Sequence, residues 1–344
     1  MDIRPAKIIV TGGAGFIGSA LVKRLVAGGS SVTVLDNLWR GDLENLRIGG
    51  RDYAIDLERD FHLADLTDYS ACLASIRDAE LVYHLADIVG GVHFALKEQT
   101  FVFRQNILIN SNVLAACLEN CIPNYIYVGT ACSYPKHLQM ADGISVLREE
   151  QTYPANPESA YGWSKLMGEY EAGVAQRAGR INVGLLRLHN VYGPGVSFEP
   201  DRAQVIPALI RKAILYPAEP FVVWGDGNQY RDFIYVDDVV DALLLMADKG
   251  MNRDVLQVGS GQATPIRDLA RLIVEISGKP ITPAFDSNQP QGDRGRIADY
   301  TRAREILGWS WKTDLTTGLQ QTYDWISRRN TSGAQWPSLP ALRP

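Results

Sequence analysis

The segment TGGAGFIG, residues 11–18, constrains the fold of this chain more than any other stretch. It follows the apolar, strand-like run KIIVTG and leads into a helical pattern over residues 15–28. The first glycine permits a tight turn, the second lets the backbone approach a pyrophosphate, and the third allows close packing of helix on strand. The phosphates then meet the free N–H groups of the helix N-terminus. The segment therefore predicts a dinucleotide site that comprises Gly12, Gly15, Phe16, Ile17 and Gly18.

The order of apolar and helical patterns predicts an α/β fold with a doubly wound parallel sheet of the Rossmann type. Strand-like and helical runs alternate through the first 190 residues, as in βαβ units. The pattern then loosens, and residues 231–248 return to strand and helix. We expect a dinucleotide-binding domain of residues 1–189 plus about 233–262, a smaller mixed substrate lobe of about 190–232 plus 263–330, and a loosely held tail at 331–344.

Composition argues against several classes of protein. The 344 residues carry a formal net charge of −5, so no broad basic field points to nucleic acid or an anionic membrane. No apolar run is long enough to span a bilayer, and the charged N-terminus enters a strand at once, unlike a signal peptide. Four cysteines do not make a disulfide framework. Cys117 and Cys121 have a spacing that could bind a metal, but no ligating partners cluster nearby, so no metal is predicted. A cytoplasmic enzyme is the expectation.

An acidic residue at the end of the second strand bears on the choice of cofactor. Asp36, in VLDNLWRG, can bind the ribose hydroxyls of adenosine and would repel a 2′-phosphate, which favours NAD over NADP. Arg40 lies close by and leaves NADP open as the alternative. Asp65 and Leu66, in ADLTD, are candidate adenine contacts, although a plain loop acid is the competing interpretation of Asp65.

The segment YGWSK supplies the candidate reaction centre. Tyr161 and Lys165 lie four positions apart, hence on one helical face. An ammonium near a phenol stabilises the phenolate, so Tyr161 could take a proton from a sugar hydroxyl. Thr130 ends the strand-like run YIYVGT and is placed to orient the substrate. The pattern Y-x-x-x-K is weak alone and becomes strong together with the fingerprint and this threonine.

These residues resemble the extended short-chain dehydrogenase/reductase family, whose members act on nucleotide sugars. The likeness covers about residues 7–328, and its marks are TGGAGFIG, LDN, HLA, Asn106, YGWSK, NVYGP, WGDGNQYRDFIYVDDVVDAL, VGSG and RGRIADYTRAREILGW. The resemblance implies a triad of Thr130, Tyr161 and Lys165, with Asn106 as a fourth member. It adds Asn37, Leu85 and Ala86 to the cofactor site. It implies a substrate site of Gly91, Asn190, Gln204, Val205, Trp224, Arg231 and Arg294, where arginines suit diphosphate. For Trp224, a packed core aromatic and a contact to the base remain alternatives.

The residues after Thr130 favour one branch of that family. Ala131 and Cys132 stand where dehydratases carry an Asp-Glu pair and decarboxylases a Glu. A cysteine here resembles the branch that acts on GDP-sugars, which contains 3,5-epimerases that recycle bound NAD and net reductases that use NADPH. Asp36 favours the epimerases. The resemblance implies transient oxidation at C4, after which Cys132 removes a proton from C3 or C5. Such a role requires a thiolate and hence a cationic neighbour or a helix N-terminus.

One position departs from the relatives. They carry Lys or His as the acid facing the cysteine, whereas this chain has Gln204, whose carboxamide cannot act as a general acid. Three interpretations follow: another residue serves the opposite face, only one-face exchange occurs, or the enzyme epimerises C4 alone and Cys132 is a small buried bystander. The candidates for the first are His93, Lys136, His137 and Arg202.

Other function classes stay open from sequence. A net nucleotide-sugar 4-dehydrogenase or keto-sugar reductase is the main alternative to an epimerase, and a non-enzymatic NAD sensor is the third. The expected partner is a nucleotide-diphosphate sugar, with GDP favoured and UDP possible. The resemblance also implies a homodimer through paired helices, here about 106–120 and 160–178.

Overall fold

The computed structural model of the protein has a central sheet of seven strands. It describes residues 6–91, 94, 97–139, 143–200, 203–289 and 294–331. In chain order the strands are β1 Lys7–Thr11, β2 Ser31–Asp36, β3 Arg47–Ile48, β4 Asp52–Tyr53, β5 Phe61–Leu63, β6 Leu81–His84, β7 Asn124–Thr130, β8 Ser145–Leu147, β9 Asn182–Leu188, β10 Asn190–Tyr192, β11 Val222–Trp224, β12 Tyr230–Arg231, β13 Phe233–Tyr235, β14 Leu256–Val258, β15 Thr264–Pro265, β16 Ala284–Asp286 and β17 Arg296–Ala298. The α-helices are Phe16–Ala27, Tyr69–Ser75, Gln99–Glu119, Lys136–Gln139, Ala160–Arg177, Val205–Leu215, Val236–Leu245, Ile266–Ser277, Thr301–Leu307 and Leu315–Thr331.

The order of the strands determines where a ligand can bind. The sheet runs β14-β9-β7-β6-β1-β2-β5, and every neighbouring pair is parallel. The chain proceeds from β1 to β2 and β5 on one side, then crosses to β6 and continues the other way. Ligands of such sheets bind beyond the carboxyl ends of the strands at this reversal, here between Thr11 and His84. The predicted doubly wound fold is confirmed.

Both faces of the sheet are buried, which explains why its strands read as continuous apolar runs. Ile8 and Val10 belong to the core that includes the helices Phe16–Ala27 and Val236–Leu245. Ile9, between them, belongs to the core on the opposite face, which includes the helix Gln99–Glu119. The period of two in a strand directs these neighbours to opposite sides.

A third core lies outside the sheet. It is built from the helices Val205–Leu215 and Ile266–Ser277 together with residues of β11, β13 and the last helix. The short strand pairs β10·β13, β11·β16 and β17·β8 are parallel, whereas β12·β15 is antiparallel, so this part is mixed as expected. The residue bounds proposed for the two domains stay a prediction, and residues 332–344 of the expected tail lie outside the described residues.

Candidate active site

A cavity of about 980 Å³ opens at the reversal of the sheet. Its wall contains residues that follow β1, β6 and β7, and also the start of the helix Val205–Leu215. Residues from the sheet and from the third core thus meet around one volume, which is large enough for an extended ligand.

The glycine fingerprint forms one end of this cavity. Gly12 has a φ of +69°, and a Cβ there would lie 2.8 Å from the backbone nitrogen of Ala86. A Cβ on Gly18 would lie 2.1 Å from the carbonyl oxygen of Gly12. Gly15 precedes the helix Phe16–Ala27, whose first turn has no acidic side chain to neutralise its N–H groups. The backbone therefore offers the close approach and the positive helix end that a pyrophosphate requires.

Asp36 is fixed in the cavity wall by its own backbone surroundings. Its Oδ2 accepts the N–H of Ala14 at 3.0 Å, and its Oδ1 accepts the N–H of Leu38 at 2.8 Å. Burial raises the pKa of Asp36, and the backbone hydrogen bonds oppose that rise. A Cβ on Gly41 would lie 3.0 Å from both carboxylate oxygens. The carboxylate keeps lone pairs for ribose hydroxyls, so these residues fit the adenosine half of NAD.

Most residues expected to hold the cofactor line this cavity. They are Gly12, Gly15, Phe16, Ile17, Gly18, Asp36, Asn37, Leu66, Leu85, Ala86, Tyr161 and Lys165. Two others do not reach the wall. Asp65 accepts the N–H and the hydroxyl of Thr67 at 3.0 and 2.8 Å and so closes its own turn. Asn106 is fully buried, and its amide bonds the N–H and C=O of Ile88 at 2.6 and 3.0 Å.

Thr130, Tyr161 and Lys165 come together in the same wall, as the motifs indicated. Gly162 makes this possible, because a Cβ there would lie 2.2 Å from the carbonyl oxygen of Cys132. The helix Ala160–Arg177 therefore starts directly against the turn that follows β7. Its first turn is capped by Ser159, whose Oγ accepts the N–H of Gly162 at 3.1 Å.

A carboxylate that sequence analysis missed joins this group. The hydroxyl of Tyr161 donates to Oδ2 of Asp87 at 3.0 Å, and Nζ of Lys165 lies 3.6 Å from the same oxygen. Burial raises the pKa of Tyr161 well above its ordinary value, and the charge of Asp87 adds to the rise. Burial lowers the pKa of Lys165, which Asp87 and Glu169 oppose. The available signal was position, since Asp87 follows the motif HLA directly.

Lys165 is held from behind by Tyr127. The lysine side chain is 2% exposed, and its Nζ lies 4.7 Å from the centre of the Tyr127 ring. The Tyr127 hydroxyl donates to the backbone oxygen of Lys165 at 3.0 Å. The ring face therefore holds the ammonium of Lys165, and the hydrogen bond holds its backbone. Together they fix the position of this side chain in the cavity wall.

A buried polar chain ties the cofactor loop to the catalytic helix. Nδ1 of His84 lies 2.8 Å from Oγ1 of Thr11, and Nε2 lies 3.0 Å from Oδ1 of Asn110. The amide nitrogen of Asn110 donates to the backbone oxygen of Ser164 at 3.3 Å. Burial, and next the charge of Lys165, lower the pKa of His84 to about 3. The imidazole is therefore neutral, donating from Nε2 and accepting at Nδ1.

Cys132 has the cationic neighbour that a working thiol requires. NH2 of Arg296 donates to its Sγ at 3.4 Å, and both residues line the cavity. The N–H of Cys132 donates to Oγ1 of Thr130 at 3.2 Å, so that hydroxyl is oriented by the turn. The family resemblance pointed to Arg294, which the structure leaves exposed and outside the wall. Arg296, two residues later and buried on β17, stands there instead.

The cavity is also lined by the remaining predicted substrate residues, which are Gly91, Asn190, Gln204, Val205, Trp224 and Arg231. Trp224 is 45% exposed, so the alternative of a packed core aromatic is wrong. Two cations were missed there: Arg211, which pairs with Glu219 at 2.6 Å, and Lys212, whose Nζ donates to the oxygen of Val222 at 2.6 Å. Both lie on the helix Val205–Leu215. Its amphipathic pattern does not tell which of its cationic side chains face the cavity.

The acid expected to face Cys132 is not found among the described candidates. Gln204 lies in the wall as the residue before the helix Val205–Leu215. Lys136 and His137 are exposed and lie outside the wall. His93 and Arg202 lie outside the described residues.

Two further expectations concern metal and membrane. Cys117 is buried and its pKa is raised by burial, whereas Cys121 is exposed. Within the described ranges, no group of three or more His, Cys, Asp or Glu side chains is arranged to hold a metal ion. In the same part of the chain, no helix combines the length and the apolar character needed to cross a membrane.

Comparison with known proteins agrees with the geometry. Residues 8–259 match the family model described as the NAD dependent epimerase/dehydratase family. GDP-mannose 3,5-epimerase 1 of Oryza sativa subsp. indica is 31% identical over 323 residues, which are 94% of this chain and 82% of the relative. GDP-L-fucose synthase 1 of Arabidopsis thaliana is also 31% identical, over 94% of each chain. The crystal structure of UDP-glucose 4-epimerase from Thermotoga maritima with UDP-glucose has a TM-score of 0.83 and 30% identity, and covers 94% of this chain and 99% of its own.

Proposed function

Because the chain belongs to the NAD dependent epimerase/dehydratase family, we propose that it epimerises a nucleotide-diphosphate sugar through a transient 4-ketone, with proton exchange at C3 or C5 by Cys132. NAD is the cofactor of this family. The predicted residues at the glycine end of the cavity would hold it, with the pyrophosphate on the helix N-terminus and adenosine ribose on Asp36. When bound, NAD would take a hydride from the sugar carbon and return it in the last step.

Two side chains of the cavity wall suit the nucleotide diphosphate. Arg231 offers a guanidinium for phosphate oxygens, and the exposed face of Trp224 can stack on a base. We favour a GDP-sugar, because GDP-mannose 3,5-epimerase and GDP-L-fucose synthase are among the relatives that match nearly the whole chain. A UDP-sugar is the alternative, as the structural likeness to UDP-glucose 4-epimerase indicates.

The first chemical role falls to the triad. Thr130 would orient the C4 hydroxyl, and Tyr161 would receive its proton. Lys165 supplies a fixed positive charge on the same side, supported by the ring of Tyr127. Oxidation at C4 acidifies the protons at C3 and C5, because the enolate that forms on their loss is conjugated with the ketone.

A single observation carries the assignment of proton exchange: the hydrogen bond from Arg296 to the sulfur of Cys132 inside the cavity that holds the triad. A guanidinium at 3.4 Å stabilises negative charge on sulfur, and a thiolate is the form that can remove a proton. A cysteine that merely filled space would be surrounded by apolar groups instead. Cys132 is only half-buried, and it lies in the cavity wall.

A simpler C4-epimerase is the second candidate, and Gln204 favours it. In that reaction the keto-sugar would rotate within the site, so that the hydride would return to the opposite face of C4. No acid facing Cys132 is then required, which agrees with the carboxamide in the wall. Cys132 would have no chemical task in this case.

The decisive experiment incubates the protein with GDP- and UDP-sugars in D₂O and follows the sugar protons by NMR. Deuterium at C3 or C5 supports proton exchange, and its loss in Cys132→Ser, with retention in Cys121→Ser, assigns that exchange to the thiol. Inversion at C4 without deuterium supports the C4-epimerase. Steady accumulation of reduced cofactor at 340 nm would instead identify a net dehydrogenase.

A further inference from the structure

An ion pair between distant parts of the chain lies directly behind the cofactor loop. NH2 of Arg329 donates to Oδ2 of Asp42 at 2.6 Å, although the two residues are 287 positions apart. Their side chains are 18% and 16% exposed. Neither residue lines the cavity, so the pair lies outside the volume that a cofactor would fill. Its geometry is therefore set by the packing of the chain.

The arginine of this pair is carried by the third core. It lies in the last turn of the last helix, whose Leu319 and Ile326 are buried in that core. Its guanidinium carbon lies 5.6 Å from the centre of the Trp325 ring. That ring in turn packs edge-on against Phe198, with 6.1 Å between the ring centres. The guanidinium is thus supported by an aromatic face and held toward the sheet domain.

The aspartate of this pair is bonded directly to the glycine loop. Its N–H donates to the backbone oxygen of Ala14 at 3.0 Å. Nδ2 of Asn45 donates to the same oxygen at 3.1 Å, and the N–H of Ala14 donates to Asp36 at 3.0 Å. Both backbone polar groups of Ala14 are therefore held. This residue precedes Gly15 in the loop whose N–H groups would meet the pyrophosphate.

The turn that contains Asp42 also reaches the cavity. Oδ1 of Asp42 accepts the N–H of Glu44 at 2.9 Å and so caps the short 3₁₀ helix Leu43–Leu46. This helix places Asn45 in the cavity wall. Asn45 is 6% exposed, and its Oδ1 has no hydrogen-bond partner within the part of the chain that the structure describes. A buried acceptor of this kind is costly unless a ligand supplies the donor, and a cofactor hydroxyl can do so.

We propose that Arg329 is a positioning residue for the cofactor, which acts through Asp42 on the glycine loop and on Asn45. The ion pair holds one carboxylate oxygen of Asp42 while the other caps the 3₁₀ helix. The N–H of Asp42 and the amide of Asn45 then keep Ala14 in place before NAD arrives. A loop that is ordered in advance loses less entropy when the ligand binds. The inference concerns the cofactor alone, so it does not depend on which sugar is the substrate.

Apolar contacts hold the third core against the sheet domain independently of this ion pair. Phe16, Ile17 and Ala20, all on the first helix, pack against the third core. Removal of the guanidinium should therefore leave the fold intact. The loss should be concentrated on the turn of Asp42 and on the loop that this turn supports.

The first measurement uses the protein without cofactor. We expect Arg329→Gln to speed amide hydrogen exchange at least about fivefold in peptides that cover residues 12–18 and 41–46, because local opening becomes easier. Exchange in a peptide that covers β9 should stay as it was, and so should the midpoint of unfolding in urea. A general rise in exchange together with a lower midpoint would show a loss of overall stability and would overturn the proposal.

The second measurement follows release of the cofactor. Bound NADH is displaced by excess NAD⁺, and the fall of its fluorescence gives the rate of release. Arg329→Gln should release NADH about tenfold faster, with association unchanged within about twofold, because a hydrogen bond between charged groups is lost. Arg329→Lys should recover part of this loss, because it retains the charge without the planar fork.

Two controls remove comparable charges. Glu44→Gln changes a carboxylate that lies 3.9 Å from Arg329 but bonds Arg47 at 2.8 Å. Arg302→Gln removes an ion pair with the exposed Asp254 at 3.3 Å. Both variants should release NADH within about twofold of the wild-type rate, as expected for exposed pairs.

A double substitution tests whether Arg329 acts through Asp42. Asp42→Asn keeps a residue that caps helices well and removes the charge, so alone it should also release NADH about tenfold faster. In that background Arg329→Gln should add less than about twofold, because the two residues form one interaction. The single Asp42→Asn variant carries the test if Arg329→Gln does not fold.

Three results would overturn the proposal. The first is release from Arg329→Gln at the wild-type rate. The second is an equal rise of association and release, which would make the pair a gate. The third is a product of the two effects near 100-fold in the double variant, about what independent sites would give. Because no step uses a sugar, failure of the proposed epimerase reaction would leave this result standing.

Discussion

The guanidinium of Arg296 lies 3.4 Å from the sulfur of Cys132, although the two residues are 164 positions apart in the chain. The parallel pairing of β17 with β8 brings Arg296 to the turn that follows β7. The contact turns a cysteine of undecided role into a candidate base, because it supplies the positive charge that a thiolate needs.

We expect Arg296→Gln to slow alkylation of Cys132 by iodoacetamide about tenfold at pH 7, since the guanidinium that donates to the sulfur at 3.4 Å is then lost. The measurement is made in a Cys121→Ser background, because Cys121 is the other cysteine that is not buried. Arg294→Gln, a change of the same kind outside the wall, should leave the rate nearly as it was. If the two substitutions slowed alkylation equally, the cause would be a long-range loss of positive charge and not the contact between Arg296 and Cys132.

We expect Asp36→Ser to weaken binding of NAD⁺ about tenfold or more, because the carboxylate binds the ribose hydroxyls. The ratio of the affinities for NAD⁺ and NADP⁺ should also fall, because the carboxylate that repels a 2′-phosphate is lost. Titration of the cofactor-free protein by calorimetry measures both affinities. Asp65→Ser is the control, since Asp65 closes its own turn outside the wall. An equal loss in Asp65→Ser would restore that residue as an adenine contact.

We expect Trp224→Ala to weaken binding of GDP about tenfold or more while changing the free energy of unfolding by less than about 0.5 kcal/mol. The reason is that Trp224 is 45% exposed in the cavity wall. Trp309→Phe should lower stability and leave GDP binding unchanged. Trp309 is 1% exposed, and its Nε1 donates to the backbone oxygen of Asp238 at 2.8 Å. Its cost should be about 1–3 kcal/mol of unfolding free energy, measured in urea, with GDP affinity unchanged.

We propose that a second copy of the chain covers an apolar stripe on the helix Ala160–Arg177. Its members are Trp163, Met167, Tyr170 and Val174, which are 37 to 61% exposed and recur at helical spacing. We expect Met167→Glu combined with Tyr170→Glu to convert a dimer to a monomer in light scattering, while Ile48→Glu, another exposed apolar position, does not. A wild-type protein that is monomeric at micromolar concentration contradicts the proposal.

We expect His84 to make stability fall in acid. Its pKa is about 3 when folded against about 6.5 when unfolded, so between these values the unfolded chain binds the extra proton. The stabilisation is therefore complete above pH 6.5 and is lost as pH falls toward 3, at about 1.4 kcal/mol per unit. Urea unfolding from pH 7 to 4 measures the slope of the unfolding free energy against pH. In His84→Gln this slope should be smaller by about 1.4 kcal/mol per pH unit, the contribution of one proton. An unchanged slope would mean that His84 is charged in the folded state.

Short-range patterns in the sequence determine the fold and most of the predicted site. The glycine fingerprint, Asp36 and the Y-x-x-x-K pair each act through a spacing of a few residues, and local geometry alone translates such a spacing into position. The parallel sheet was predictable for a similar reason, because strands that are buried on both faces are continuous apolar runs in the sequence.

Contacts between distant segments were decided by the tertiary structure. Asp87 meets Tyr161 across 74 positions and Arg296 meets Cys132 across 164, and no period or motif links such pairs. The same limit explains why Arg294 was preferred to Arg296 and why Lys212 was missed, because a cation's residue type does not say which way it faces. The sequence by itself thus determined the sheet, the cofactor cradle and the triad, which are local. Only the folded chain decided the charges around Cys132 and Tyr161, because those depend on which strand ends and helix starts are packed together.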